Sequence, residues 1–138
     1  MILLDTSLLS RVFRRRRPGP EERRLRAALE ELMAGDISLG VPGIVLQETL
    51  SGIRSQKQFA DLERRLLTSF SIIPASVADH VEAARLKNTC LAKGLNVSGI
   101  DCLIAVSAIA GDHELFAADV DFPAIAGCAP LKLYRGVV

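Results

Sequence analysis

The sequence predicts an α/β domain with a mostly parallel central sheet. Short apolar runs recur at residues 1–4, 37–41, 70–73, 114–118 and 131–134. Segments with apolar residues at helical spacing separate them. Strands alternating with helices are the signature of βαβ units, in which the sheet is parallel. The chain has 138 residues, which suits one domain spanning 1–138. A chain of that size buries roughly two-thirds of its unfolded surface without disulfides or structural metal.

Each element has a local reason. Residues 1–4 read as a buried strand. Asp5, Thr6 and Ser7 follow it, all good helix caps. The helix they start is broken by Pro18-Gly19-Pro20. Residues 21–33 form an amphipathic helix in which Leu25, Ala28, Leu29 and Leu32 share a face, ended by Gly35-Asp36. The strand at 37–41 leads to Pro42, which fits the first turn of a helix running to Ile53. A further helix is expected over 56–67. The segment 70–73 is a third strand, ended by Pro74. Ser76 caps a long helix to Lys93, with Gly94 as its C-cap. Ser98 opens a helix to Ala110, and Gly111-Asp112 closes it. The segment 114–118 is another strand, Asp119 to Phe122 a turn, and 131–134 the last strand.

Composition narrows the function. The core is aliphatic, with only six Phe or Tyr residues. Cys90, Cys102 and Cys128 are odd in number and lie in no C-x-x-C pair, so they read as reduced thiols of a soluble, cytoplasmic protein. His80 and His113 stand at no zinc-ligand spacing from them. The apolar start ends at Asp5, too short for a secretory signal. No apolar run approaches the roughly 20 residues of a membrane span. The net charge is +1, but eight arginines between Arg11 and Arg26, against Glu21 and Glu22, concentrate +6 there. That asymmetry suits either a polyanion partner or a solvated helix face.

Four acids stand out. Asp5 and Asp119 each follow a strand, and ligand sites of parallel sheets lie beyond the carboxyl ends of strands. As bland alternatives, Asp5 is a helix cap and Asp119 a turn residue, with Asp121 a second choice beside it. Asp101 falls in Ser98-Gly99-Ile100-Asp101, a capping-box pattern. The same place at a helix N-terminus also favours an ionised carboxylate. Glu48 shares a helix face with Ile44 and Val45. An acid among apolar neighbours is costly unless it is paired or bound to metal. Converging acids without a compensating cation repel one another. Oxygen-only ligands select Mg2+ or Mn2+ over zinc. Two such ions roughly 4 Å apart serve phosphodiester hydrolysis without a nucleophilic Ser or Cys. Cys102, with Val106 and Ile109, reads as packing, and His113 as a loop residue.

Taken in order, Leu4-Asp5-Thr6-Ser7, Gln47-Glu48 after Val41-Pro42, Ser98-Gly99-Ile100-Asp101 before Leu103-Ile104-Ala105, and Leu115 to Phe122 with its Asp-x-Asp-Phe ending resemble the PIN-domain ribonucleases. The likeness is greatest to the VapC toxins of toxin–antitoxin pairs and covers nearly the whole chain. The resemblance implies a three-layer α/β/α sandwich. It also implies an endoribonuclease with an Mg2+ or Mn2+ site at Asp5, Glu48, Asp101 and Asp119. Asp121 assists or replaces Asp119, and Ser7 supports Asp5. Phe116-Ala117-Ala118 stands where relatives often carry a Thr, which removes a hydroxyl ligand there. The resemblance further implies a homodimer and a VapB-like antitoxin that blocks the acidic pocket. Arg14, Arg15, Arg16 and Arg17 are candidates for gripping RNA phosphates.

Three other readings remain open on sequence. One is a housekeeping PIN nuclease that trims RNA without an antitoxin. Another is a phosphatase with Asp5 as nucleophile, as in haloacid-dehalogenase-like proteins, although Ser7 occupies the place of that family's second acid. The last is a binding module whose acids only cap helices and turns.

Overall fold

The computed structural model describes residues 1–14 and 17–136. Two of the four candidate RNA contacts, Arg15 and Arg16, lie outside the described residues. The first strand, β1 (Ile2–Leu4), is buried along its whole length. Asp5 leaves it in extended conformation and caps α1 (Thr6–Phe13), which buries Leu8, Leu9 and Val12. Of the three residues read as caps, Asp5 alone holds that position. The helix stops at Arg14, well short of the prolines.

The second helix, α2 (Pro20–Ala34), begins with proline in its first turn and buries Leu29 and Leu32. Next comes β2 (Leu39–Pro42). Pro42 is one position earlier than expected: it ends the strand and caps α3 (Gly43–Leu50). That helix ends before Ile53 because Ser51 turns extended and Gly52 adopts φ +86°, a conformation that favours glycine. Then follow α4 (Gln56–Ser69), β3 (Ser71–Ile73) and α5 (Val77–Ala92). Ser76 and Asp79 close a reciprocal capping box at the start of α5, and Gly94 takes φ +78° beyond its end. Ser98 caps α6 (Gly99–Ala110), in which every residue from Cys102 to Ala108 is buried. The remaining elements are β4 (Glu114–Phe116), α7 (Asp121–Ala126) and β5 (Lys132–Leu133). Helix α7 replaces the expected turn at its start, and burial of Phe122 and Ile125 explains it.

The five strands pair in the order β3-β2-β1-β4-β5, and every pairing is parallel. Helices flank the sheet in an α/β/α sandwich. Leu3, Leu4, Val41 and Leu115 of the strands meet Leu8, Leu9, Ile104 and Phe122 of the helices in one core. Fully burying each such side chain contributes about 1.5–3 kcal/mol. Gly40 pairs with Leu3 and Ser71 at the sheet centre. A Cβ there would sit 2.6–2.8 Å from Met1 Sδ, Ile73 Cδ1 and Leu3 Cδ2, so any larger residue over β2 would have to push those side-chain tips aside. The three cysteines are free thiols. Among the described residues no helix is long and apolar enough to cross a membrane.

The strand order sets where a site can form. The chain builds outward from β1 to β2 and β3, then returns to the opposite side of β1 for β4 and β5. Its direction of winding therefore switches between β1 and β4. Side chains beyond the carboxyl ends of those strands border a crevice that neither connection covers.

Candidate active site

Asp5 stands at that switch point. Its backbone N–H donates to Phe116 O at 3.2 Å, continuing the β1–β4 ladder. Its side chain is only 2% exposed. One carboxylate oxygen accepts from Leu8 N–H at 3.0 Å, and the other accepts from the Ser7 hydroxyl at 2.5 Å. The Ser7 oxygen in turn accepts from Ala118 N–H at 3.2 Å. Ser7 thus ties Asp5 to the segment that carries Asp119. Burial pushes the Asp5 carboxyl above its ordinary range; the Ser7 and Leu8 hydrogen bonds oppose that, and the Asp119 charge adds to it.

Asp101, Asp119 and Asp121 converge beside Asp5. One carboxylate oxygen of each lies within 4.8 Å of the others. Asp101 occupies the first turn of α6, where its N–H donates to Ser98 Oγ at 3.0 Å. Among the described residues the reciprocal backbone bond of a capping box is made at Ser76 and Asp79 but not at Asp101, whose carboxylate instead has a side-chain hydrogen bond with Ser98 that partly offsets the rise in its pKa. Asp119 accepts from Asp121 N–H at 3.0 Å, which folds the two acids together at the start of α7. Desolvation, then the charges of Asp119 and Asp121, push Asp101 up to about 6, and Asp5 adds to the rise. The structure sets Asp119 and Asp121 side by side rather than one in place of the other. Asp5 belongs to the same electrostatic field without being one of the three.

Glu48 reaches this end of the molecule from α3. It is half-buried, and its carboxylate accepts from the Thr6 hydroxyl at 2.6 Å. The partner that its apolar face demanded is thus the residue after Asp5. Thr6 was read only as a cap; nothing in a sequence separation of 42 residues signals that pairing. Arg14 and Arg17 are exposed near the end of α1 and after it. Cys102 is buried, as expected of a packing residue. His113 joins Asp112 in the connection from α6 to β4, its N–H donating to Ala108 O.

Residues 2–127 match the PIN domain family. The chain belongs to that family. No curated protein sequence matches it. Solved structures share the PIN fold at low identity. VapBC2 from Rickettsia felis, solved bound to a DNA fragment from its promoter, superposes with a TM-score of 0.76 at 23% identity, over 99% of this chain and 100% of that one. FitAcB from Neisseria gonorrhoeae gives 0.75 at 21%, over 98% and 97%. VapC20 of Mycobacterium tuberculosis, described as a toxin cleaving the sarcin–ricin loop, gives 0.69 at 17%, over 96% and 99%. In this PIN domain the acids gather where the sheet's winding switches, at one end of β1 and β4.

Proposed function

We propose that this PIN domain is a metal-dependent endoribonuclease and the toxin of a VapBC-type toxin–antitoxin pair. The observation that carries the reading is the convergence of Asp101, Asp119 and Asp121 within 4.8 Å, in the electrostatic field of Asp5. Like-charged carboxylates at that spacing are uncomfortable alone. A hard divalent cation suits them, since all the donors are carboxylate oxygens. Asp101, Asp119 and Asp121 would hold Mg2+ or Mn2+, with Asp5 and Glu48 bordering the site. The ion supplies Lewis acidity toward a phosphodiester and a more acidic water.

The chain's own residues do the positioning. Asp5 is fixed by two hydrogen bonds at the centre of the sheet, so its orientation needs little reorganisation. Ser7 keeps that carboxylate aimed and holds the Asp119 segment at the correct depth. Thr6 steadies Glu48 at the rim. Arg14 and Arg17 bring positive charge to an entrance that would otherwise repel RNA.

The solved relatives include toxin–antitoxin assemblies, which favours a cognate VapB-like antitoxin here. A guanidinium from such a partner suits an acidic pocket. Homodimerisation is supported by apolar side chains exposed on α5 and α6, among them Val77, Val81 and Ile100. A cytoplasmic location suits a nuclease acting on cellular RNA, and no described helix is long and apolar enough to cross a membrane.

The test is RNA cleavage by purified protein, with product ends mapped, in Mn2+ or Mg2+ and in EDTA. Asp5→Asn, Glu48→Gln and Asp101→Asn should each nearly abolish cleavage while circular dichroism stays unchanged. Cleavage that persists in EDTA refutes the metal-dependent reading. Full activity of the Asp101→Asn protein refutes the site.

A further inference from the structure

Beyond Arg14 and Arg17, the nuclease reading leaves Arg54 and Arg65 unused. Between the end of α1 and the start of α4 lies an open groove of about 570 Å³. Arg14, Arg54 and Arg65 line it, with the Ser55 hydroxyl and the Gln58 amide. All three arginines are exposed, and among the described residues none of them makes an ion pair. Arg65 is held in place: its guanidinium lies 4.9 Å from the centre of the Phe13 ring. Arg14 passes over Gly52, its guanidinium 3.7 Å from where a Cβ would stand, so the glycine turn leaves it room. Asp61 is the one acid of the lining, and Arg64 neutralises it at 3.3 Å.

The groove connects to the acids. A neighbouring cleft of about 420 Å³ is bordered by Ser7, Ser10, Arg11 and Arg14. It shares Arg14 with the groove at one end, and at the other it reaches the Ser7 that holds Asp5. Arg11 is spent on Glu21 at 2.7 Å, so the free positive charge sits further out. From Ser7 to Arg14 the helix advances about 10 Å, a few nucleotides along a strand.

We propose that this groove binds the phosphate backbone of a single RNA strand through Arg14, Arg54 and Arg65, away from the bond being cut. The proposal rests on the nuclease reading for the identity of the polyanion. Guanidinium groups match phosphate oxygens in a planar, bidentate way. Of the aromatic side chains only Phe13 lines the groove, and Arg65 covers it. The contact is therefore electrostatic and independent of base identity.

The experiment measures binding of a short labelled RNA oligonucleotide by fluorescence anisotropy in EDTA, so that nothing is cut. Wild type is compared with Arg54→Gln and with the Arg54→Gln/Arg65→Gln double variant across salt. Each lost phosphate contact on a single strand flattens the log–log salt slope by about 0.7. The double variant should lose about 1.4 of slope, so wild-type affinity falls about sevenfold more than the variant's between about 50 and 200 mM salt. Arg54→Gln should lose about half that slope, and it disturbs no ring contact. An unchanged slope in both variants overturns the groove. Displacement of RNA by polyglutamate at equal charge concentration also overturns it, because an acidic protein segment would then be the occupant. The two proposals fail separately: if Asp101→Asn still abolishes cleavage while the slopes are unchanged, the groove falls and the nuclease stands. If the slopes change but Asp101→Asn cleaves like wild type, the groove binds RNA and the nuclease reading falls.

Discussion

Replacing Asp101 with Asn should stabilise the metal-free protein at neutral pH and do nothing for it in acid. The folded protein holds the Asp101 carboxyl at about 6 against an ordinary 3.8. Well below its ordinary 3.8 the group is protonated whether the chain is folded or not, and it does not penalise folding. As pH rises toward 6 the unfolded chain releases the proton while the folded chain retains it. Folding therefore loses stability across that window, and the loss is complete above it. About two pH units correspond to about 3 kcal/mol. Asp101 is only half-buried, and solvent screening reduces the figure to about 1–2 kcal/mol. Asn carries no charge, so Asp101→Asn should exceed wild type by that amount at pH 7.5, a gain of about 3–7 °C in Tm for a chain of this size. The advantage should vanish below about pH 3. Urea denaturation in EDTA across that range is the assay. Adding Mg2+ should reverse the order, because wild type gains about 2.7 kcal/mol at a hundredfold excess over Kd and the variant has lost a ligand. If Asp101→Asn is no more stable than wild type at pH 7.5 without metal, the carboxylates do not repel one another and the cluster argument fails.

Two further outcomes follow from particular contacts. Ser7→Ala removes a donor to Asp5 and an acceptor for Ala118 N–H; it should cost about 1–3 kcal/mol in urea melts and move the rising limb of the cleavage pH profile upward, since Asp5 loses a bond that favours its ionised form. Gly40→Ala places a methyl against three side-chain atoms at the sheet centre; a loss of about 1–3 kcal/mol is expected, and a melt unchanged from wild type would contradict the packing described for β2.

The parts of this fold visible in the sequence are those governed by local chemistry. Ser76 and Ser98 announce their helices through caps, and both do cap them. Gly94 ends α5 with a positive φ. The strands were placed to within a few residues, because short apolar runs between helices leave few alternatives. Helix α7 was missed because a six-residue helix has little intrinsic stability; burial of Phe122 and Ile125 decides it, and that is tertiary. In the candidate site, Asp5, Asp101 and Asp119 stand out in the sequence by their places after strands and at a helix start, and the structure brings Asp101 and Asp119 together with Asp121. Glu48 was readable as an acid in need of a partner, but the partner itself was not. Thr6 lies 42 positions away, and only the packing of α3 against α1 brings the two together. Sequence left Asp119 and Asp121 as rivals, whereas one backbone hydrogen bond makes them companions.

The order of the sheet has a consequence for how the protein is made. Strand β1 is synthesised first, yet one of its two neighbours, β4, begins only at Glu114. A ribosome that has delivered β1, β2 and β3 has produced Asp5 and Glu48 but none of the three clustered acids. Until Asp121 has left the exit tunnel, the growing polypeptide carries half a pocket and an open sheet edge. A chain that attacks RNA would thus stay harmless to the message and the ribosome producing it until the segment bearing Asp119 and Asp121 has emerged.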